Sequence, residues 1–212
     1  MIEIHNIKSG IITIIQNSND NILDPIYIKS NVCICHQCDC ATLEPRGLYC
    51  DMIKHFGRYI NPYRYRNPMV YGSNLATVVT RAQPGTIDFC NGVPCVVNLF
   101  DRYLPSNYSI GIPTDEHMRL GIARDYLQDR QLYFESCLDH LLYDLVNIHT
   151  QIDTVVFLID YKERLTDFET SDIEIKCIKS FVDKLVLAKN FDIGGIQYRG
   201  LVSEFADKIK IY

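Results

Sequence analysis

The chain lacks any apolar run near the roughly 20 residues that a bilayer span requires, so no transmembrane helix is expected. Its opening residues, MIEIHNIKSG, have neither the basic start nor the apolar core of a signal peptide. With no secretion signal, the odd count of nine cysteines points to free thiols in a reducing, cytoplasmic compartment. There is no basic excess either. Lys and Arg number 21 against 26 Asp and Glu, giving a net charge of −5 and a pI near 5.6. That balance disfavours a protein built around phosphate backbones, so nucleic acid is not an expected partner, but it leaves room for a pocket holding one nucleotide. Internal repeats, low-complexity tracts and long linkers are also missing, and residues 1–212 read as a single domain. What is present is ordinary globular composition, 47% hydrophobic and 22% charged, sufficient for a substantial core.

The chain is organised around residues 31–60, NVCICHQCDCATLEPRGLYCDMIKHFGRYI. Val32 to His36 carries no charge before the histidine, as a buried strand requires. After Pro45 and Gly47 an amphipathic helix follows, with Leu48, Met52, Ile53, Phe56 and Ile60 near helical spacing. A strand, a short loop with a glycine and a helix start make a common phosphate-holding arrangement. The helix amino end presents unpaired N–H groups, and glycine lets the backbone approach the ligand.

Cys33, Cys35, Cys38 and Cys40 flank His36 and invite a zinc reading. Zinc wants ligands converging tetrahedrally, usually as two Cys-x₂₋₄-Cys knuckles. Cys33 and Cys35 instead stand two apart on a strand, so the expectation is buried thiols acting as small hydrophobes, with no metal or cofactor. His36 is expected as a core histidine at a strand end. Arg58 to Arg66, RYINPYRYR, alternates basic and aromatic side chains on which single-stranded RNA can stack. The expectation here is that the tyrosines pack where a helix ends at Pro62 and the arginines are solvated.

Elsewhere, Ile2–Ile7 and Ile11–Gln16 read as strands about a Lys8-Ser9-Gly10 turn. Ala76–Arg81 reads as a strand, and Thr86–Phe89 and Val93–Phe100 as a hairpin about Asn91-Gly92. The strand Val96–Phe100 ends at Asp101-Arg102. Open α/β sheets bind ligands beyond the carboxyl ends of their strands, so both are candidate pocket residues. Thr114 starts a helical region reaching about Asn147 in two segments, with Arg130, Phe134, Cys137, Leu138 and Leu141 toward the core. Val155–Ile159 is a buried strand, and Ser171 with Glu174 forms a capping box for the next helix. Gly194-Gly195 then opens a last helix, Ile196–Asp207, before a terminal strand at Lys208–Tyr212.

Several short motifs, in order, carry a resemblance. HQCDC with the later Gly47-Leu48 pair resembles the HQxNC…GL signature of the macro-domain family. Asn21-Ile22-Leu23, Tyr63…Arg66, Pro84-Gly85-Thr86-Ile87, Val96–Phe100, Arg130…Phe134…Cys137-Leu138 and Gly194-Gly195…Phe205-Ala206 follow in the family's order. The resemblance spans roughly residues 10 to 210. It implies a three-layer α/β/α fold, a mixed sheet of about six or seven strands with helices on both faces. Residues 153–183 would then be a strand-helix insertion; the alternative keeps Val155–Ile159 as the family strand and makes Gly194-Gly195 a plain turn.

The resemblance further implies binding of ADP-ribose or a related nucleotide, free or carried on an ADP-ribosylated protein. The loops at Gly47 and Gly194-Gly195 would hold the diphosphate, with Arg46 and Phe191 beside them. Asn21 would meet the adenine or else only shape its turn. Asp39 stands where the family has asparagine, facing the distal ribose, and with Asp101 would be the candidate base for hydrolysis of an ADP-ribosyl or terminal phosphate group. No lysine nucleophile stands near Asp101, and Leu43-Glu44-Pro45-Arg46 replaces the family's glycines. Those departures support an alternative, a macro-like scaffold that has lost its ligand and serves as an interaction or structural component. The Ile-, Asn- and Tyr-rich composition suits an AT-rich genome such as that of a large virus.

Overall fold

Strands Ile2–Ile7 (β1), Gly10–Gln16 (β2), Val32–Asp39 (β3), Ile87–Cys90 (β4), Cys95–Arg102 (β5) and Thr154–Ile159 (β6) join in one mixed sheet. Its order is β1-β2-β6-β3-β5-β4. β2, β6, β3 and β5 run parallel, and the two edge strands are antiparallel to their neighbours. The protein is therefore an α/β protein. The computed structural model describes residues 2–7, 10–16, 23, 25–105, 115–122, 125–152, 154–159 and 168–189. Asn21, Thr114, the last helix and the terminal strand lie outside the described residues, as do Phe191, Gly194 and Gly195.

Alternation along the central strands sorts the core into two halves. Cys33 and Cys35 of β3, Cys95, Val97 and Leu99 of β5, and Val155 and Phe157 of β6 face one way. They meet two helices, Leu127–Asn147 (α3) and Phe168–Lys189 (α4), through Phe134, Cys137, Leu138, Leu141, Ile178, Phe181 and Val182. Val32, Ile34, Val96, Phe100 and Val156 face the other way, toward Tyr49 and Met52 of helix Leu48–Phe56 (α1), with Ile60 and Tyr63 behind it. β3, β5 and β6 are apolar on both faces because helices or turns cover both. β6 pairs with β2 and β3 at once, so segment 153–183, expected as an insertion, supplies an interior strand and a covering helix.

Four expectations are corrected. Ala76–Arg81 is no strand: Ala76 makes an isolated bridge to Pro68, and Val78–Thr80 is a 3-10 turn. Its β-branched residues pair with no strand among the described residues, and Val78 and Val79 stay exposed while the Thr77 and Thr80 hydroxyls bond each other at 2.8 Å. α4 begins at Phe168, so Ser171 lies inside the helix; Glu174 reaches the sheet instead, accepting from Gln37 Nε2 at 3.1 Å. α1 stops at Phe56, where Gly57 turns the chain with φ 103°, and Ile60 is buried from a separate 3-10 turn, Arg58–Ile60. Arg130 is turned inward with its helix face but ends on the buried Asp125 carboxylate, to which it donates at 2.8 Å, and not among the apolar side chains.

The predicted hairpin is present, as β4 and β5 joined through residues 91–94. Gly92 is required there by close approach, because a Cβ would sit 2.4 Å from the Tyr59 ring. The helical region after residue 114 is also two segments, Asp115–Arg119 (α2) and α3.

Candidate functional site

The carboxyl end of β3 and the amino end of α1 stand one loop apart. β3 pairs regularly with β5 as far as Cys38, where the register shifts before Asp39. Regular alternation would put Asp39 on the α3–α4 side, with Cys33, Cys35 and Gln37. At this step one residue of β3 stands against two of β5, as in a bulge, and the Asp39 contacts are with the Tyr63 side. Asp39 Oδ1 accepts from the Ala41 and Thr42 amides at 3.1 and 2.7 Å, and the Thr42 hydroxyl lies within 2.8 Å of both oxygens. Oδ2 also accepts from the Tyr63 hydroxyl at 3.1 Å, and Arg66 Nη1 stands 3.6 Å from Oδ1. A carboxylate has about four lone-pair sites, and the chain's own donors fill them. Asp39 is thus the anchor of its loop, with no open side toward a ribose or a water.

Arg66 completes that anchor. It is buried, donates to the carbonyls of Thr42 and Asp39 at 2.6 and 2.8 Å, and lies over the Tyr63 ring at 4.2 Å. A single planar fork therefore fixes both ends of residues 39–42. The expectation that the arginines of residues 58–66 are solvated fails at this one. Of the tyrosines, Tyr63 is buried and Tyr59 donates to the Pro94 carbonyl, but Tyr65 is exposed.

Gly47 precedes α1 with φ 58° and ψ −140°, a conformation that L side chains rarely adopt. No side chain caps the helix there, and Arg46 and Gly47 are both exposed. The uncapped helix start, whose first amides have no intrahelical acceptor, thus stands beside an exposed cation. The Leu43–Arg46 stretch is tied down from behind, by Leu43 N donating to Asn74 O at 3.0 Å and Cys50 Sγ to Pro45 O at 3.2 Å.

Asp101 and Arg102 end β5 as an internal pair. Arg102 Nε and Nη2 reach the two Asp101 oxygens at 2.9 and 2.6 Å, and Asp101 is only 2% exposed. Burial opposes the charge of Arg102, but the Asp101 carboxylate outweighs it and holds the guanidinium protonated. This pair occupies the candidate base. The structure brings Asp39, Arg46 and Gly47 into one loop and Asp101 onto the strand beside it, whereas the partners expected from the second loop lie outside the described residues.

Beneath the loop runs a polar line that sequence reasoning did not identify. Asn98, fully buried in β5, donates to the Ile60 carbonyl at 2.9 Å and accepts from Tyr49 at 2.5 Å and Cys38 at 3.6 Å. His36 stacks on Tyr49 with ring centroids 4.2 Å apart. Burial, reinforced by Arg102 and only partly opposed by Asp101, lowers the His36 pKa to about 3, so its ring is neutral at physiological pH. One signal for Tyr49 was present: Tyr49, Met52, Ile53 and Phe56 fall at i, i+3, i+4 and i+7, a better helical face than one starting at Leu48. All nine cysteines are free, and all except Cys50 are buried. Burial is the main cause raising the Cys38 and Cys40 thiols, and no group of three or more His, Cys, Asp or Glu among the described residues can hold a metal ion. No described helix is long and apolar enough to cross a membrane.

The fold and this edge define a class and no more: an α/β protein with a glycine-led helix start at the carboxyl end of a parallel strand. Neither a family model, nor a curated protein, nor a solved structure matches the chain significantly.

Proposed function

We propose that the protein binds ADP-ribose or a related nucleotide diphosphate at the carboxyl edge of β3 and β5, as a macro-domain-like fold of three α/β/α layers. The observation that carries this reading is Gly47, whose glycine-only backbone stands at an uncapped helix start beside the exposed Arg46. Such a turn lets main-chain amides and a cation meet a phosphate group. Asn21, Phe191, Gly194 and Gly195 would supply the adenine contact and the second diphosphate loop. The ligand would be free or carried by an ADP-ribosylated protein.

The proposal is for binding first. Hydrolysis through Asp39 or Asp101 requires a carboxylate free to take a proton from water, and both are engaged by donors of the chain. The same observation favours a second reading, a scaffold of this fold that serves as an interaction component without ligand.

Thermal unfolding with and without ADP-ribose separates the two. A native-state ligand at 100 times its Kd adds about 2.7 kcal/mol, which for a chain of this size raises the midpoint by about 5–10 °C. In Gly47→Glu, a carboxylate at the phosphate position abolishes that rise. An unchanged midpoint at millimolar ligand leaves the scaffold reading, and a full rise in Gly47→Glu removes Gly47 from the site.

A further inference from the structure

From Met52 to Ile87 the chain contains no aspartate or glutamate, although 26 stand elsewhere in it. The same stretch carries Lys54, Arg58, Arg64, Arg66 and Arg81. A protein of net charge −5 therefore concentrates positive charge in one segment. Arg66 and Arg81 serve the fold, Arg81 donating to the carbonyls of Ala76 and Leu120 at 2.8 and 2.6 Å. Lys54 pairs with Asp51. Arg58 and Arg64 are exposed, with Arg64 Nη1 on the Arg58 carbonyl at 2.9 Å and its guanidinium 4.5 Å from the centre of the Tyr65 ring.

Tyr65 is 73% exposed and Tyr71 is fully exposed, with Val70 beside it also open to solvent. These rings do not hang on a loose loop. Residues 66–77 are closed on themselves by the Pro68–Ala76 bridge and fastened to the loop after β3 by the Thr42–Leu75 bridge, by Ala76 N on Ala41 O at 2.8 Å, and by Arg66. Two exposed rings are thus presented on fixed backbone, Tyr65 with the Arg64 guanidinium beside it and Tyr71 on the fastened turn, in a segment that carries no acid of its own.

From this arrangement we infer a second binding surface, for single-stranded nucleic acid. Bases stack on aromatic rings irrespective of sequence, and arginines track the phosphates. An acidic peptide would satisfy the charge but leave the rings unused; a duplex keeps its base faces buried in its own stack. The surface uses none of the residues assigned to the Gly47 turn and does not depend on that turn binding a nucleotide.

The test is fluorescence anisotropy of labelled oligouridine and oligothymidine of about 12 nucleotides, within the usual site sizes, titrated with the full chain. Stacking is worth about 1–3 kcal/mol per base, so Tyr65→Ala and Tyr71→Ala each weaken binding by about fivefold or more. Tyr65→Phe retains it. Arg58→Ser with Arg64→Ser flattens the salt dependence by up to about 0.7 per lost phosphate contact. Unfolding midpoints of these surface variants report that each is folded. Excess ADP-ribose leaves the oligonucleotide bound, and Gly47→Glu binds it as the parent does, so failure of either site is seen independently. Absence of saturable binding up to about 100 µM protein, the weak end of non-specific affinity, overturns the inference. So does binding that survives both Tyr→Ala changes, or equal competition by polyglutamate or by duplex of the same length.

Discussion

The Tyr49 hydroxyl and the Asn98 side-chain oxygen meet at 2.5 Å inside the apolar layer between α1 and the sheet. The Ile60 carbonyl lies at the same distance from that hydroxyl. One proton is thus shared by two acceptors, and a helix, a strand and a turn are held to a single register. Buried polar groups of this kind are costly unless satisfied, and so they specify the arrangement that satisfies them.

Tyr49→Phe removes that proton and leaves Asn98 Oδ1 with only the Cys38 thiol at 3.6 Å. The expected loss is about 1–2 kcal/mol, seen as a fall of about 3–8 °C in the unfolding midpoint. A Phe variant as stable as the parent would show that the hydroxyl is not engaged as described.

Asp39→Asn puts a donor in place of Oδ2 opposite the Thr42 and Tyr63 hydroxyls and removes the negative charge beside Arg66. Destabilisation of about 2–4 kcal/mol is expected, read as a lower urea midpoint at unchanged slope. Were Asp39 a pocket residue instead, the variant would lose ligand or hydrolysis and keep its midpoint.

His36 makes stability depend on pH. Its pKa is about 3 in the folded chain against an ordinary 6.5, so below 6.5 the unfolded chain binds a proton that the folded one refuses. Its contribution is fully present above pH 6.5 and is lost as pH falls toward 3, at about 1.4 kcal/mol per pH unit. Urea midpoints measured from pH 7.5 to 4 should drop less steeply in His36→Phe than in the parent. Equal slopes would mean that His36 is protonated in the folded state.

Cys50 alone among the nine cysteines is not buried. A thiol reagent added to native protein should react rapidly at one site, and at nine after unfolding. Cys50→Ala should abolish the rapid phase. Several fast-reacting thiols in that variant would contradict the burial of β3 and β5.

Much of the architecture was legible because burial leaves a periodic trace. The uncharged runs of β3, β5 and β6 mark strands covered on both faces, and Phe134, Cys137, Leu138 and Leu141 mark the buried stripe of α3. Ala76–Arg81 misled because β-branched composition announces a strand only where a neighbour offers its backbone, and among the described residues none does there. The Ser171–Glu174 box misled because the helix starts earlier, at Phe168, and Glu174 accepts from Gln37 of the sheet.

The sequence alone determined which segments are apolar enough to be strands and helices, and it placed Gly47 between a strand and a helix. Where Asp39 points was decided only in three dimensions. Where the register shifts after Cys38, its carboxylate meets Tyr63 and Arg66, residues 24 and 27 positions away. Ala41 and Thr42 are local partners of that carboxylate, but Tyr63 and Arg66 arrive from a distant part of the chain, and no pattern near Asp39 in sequence records them.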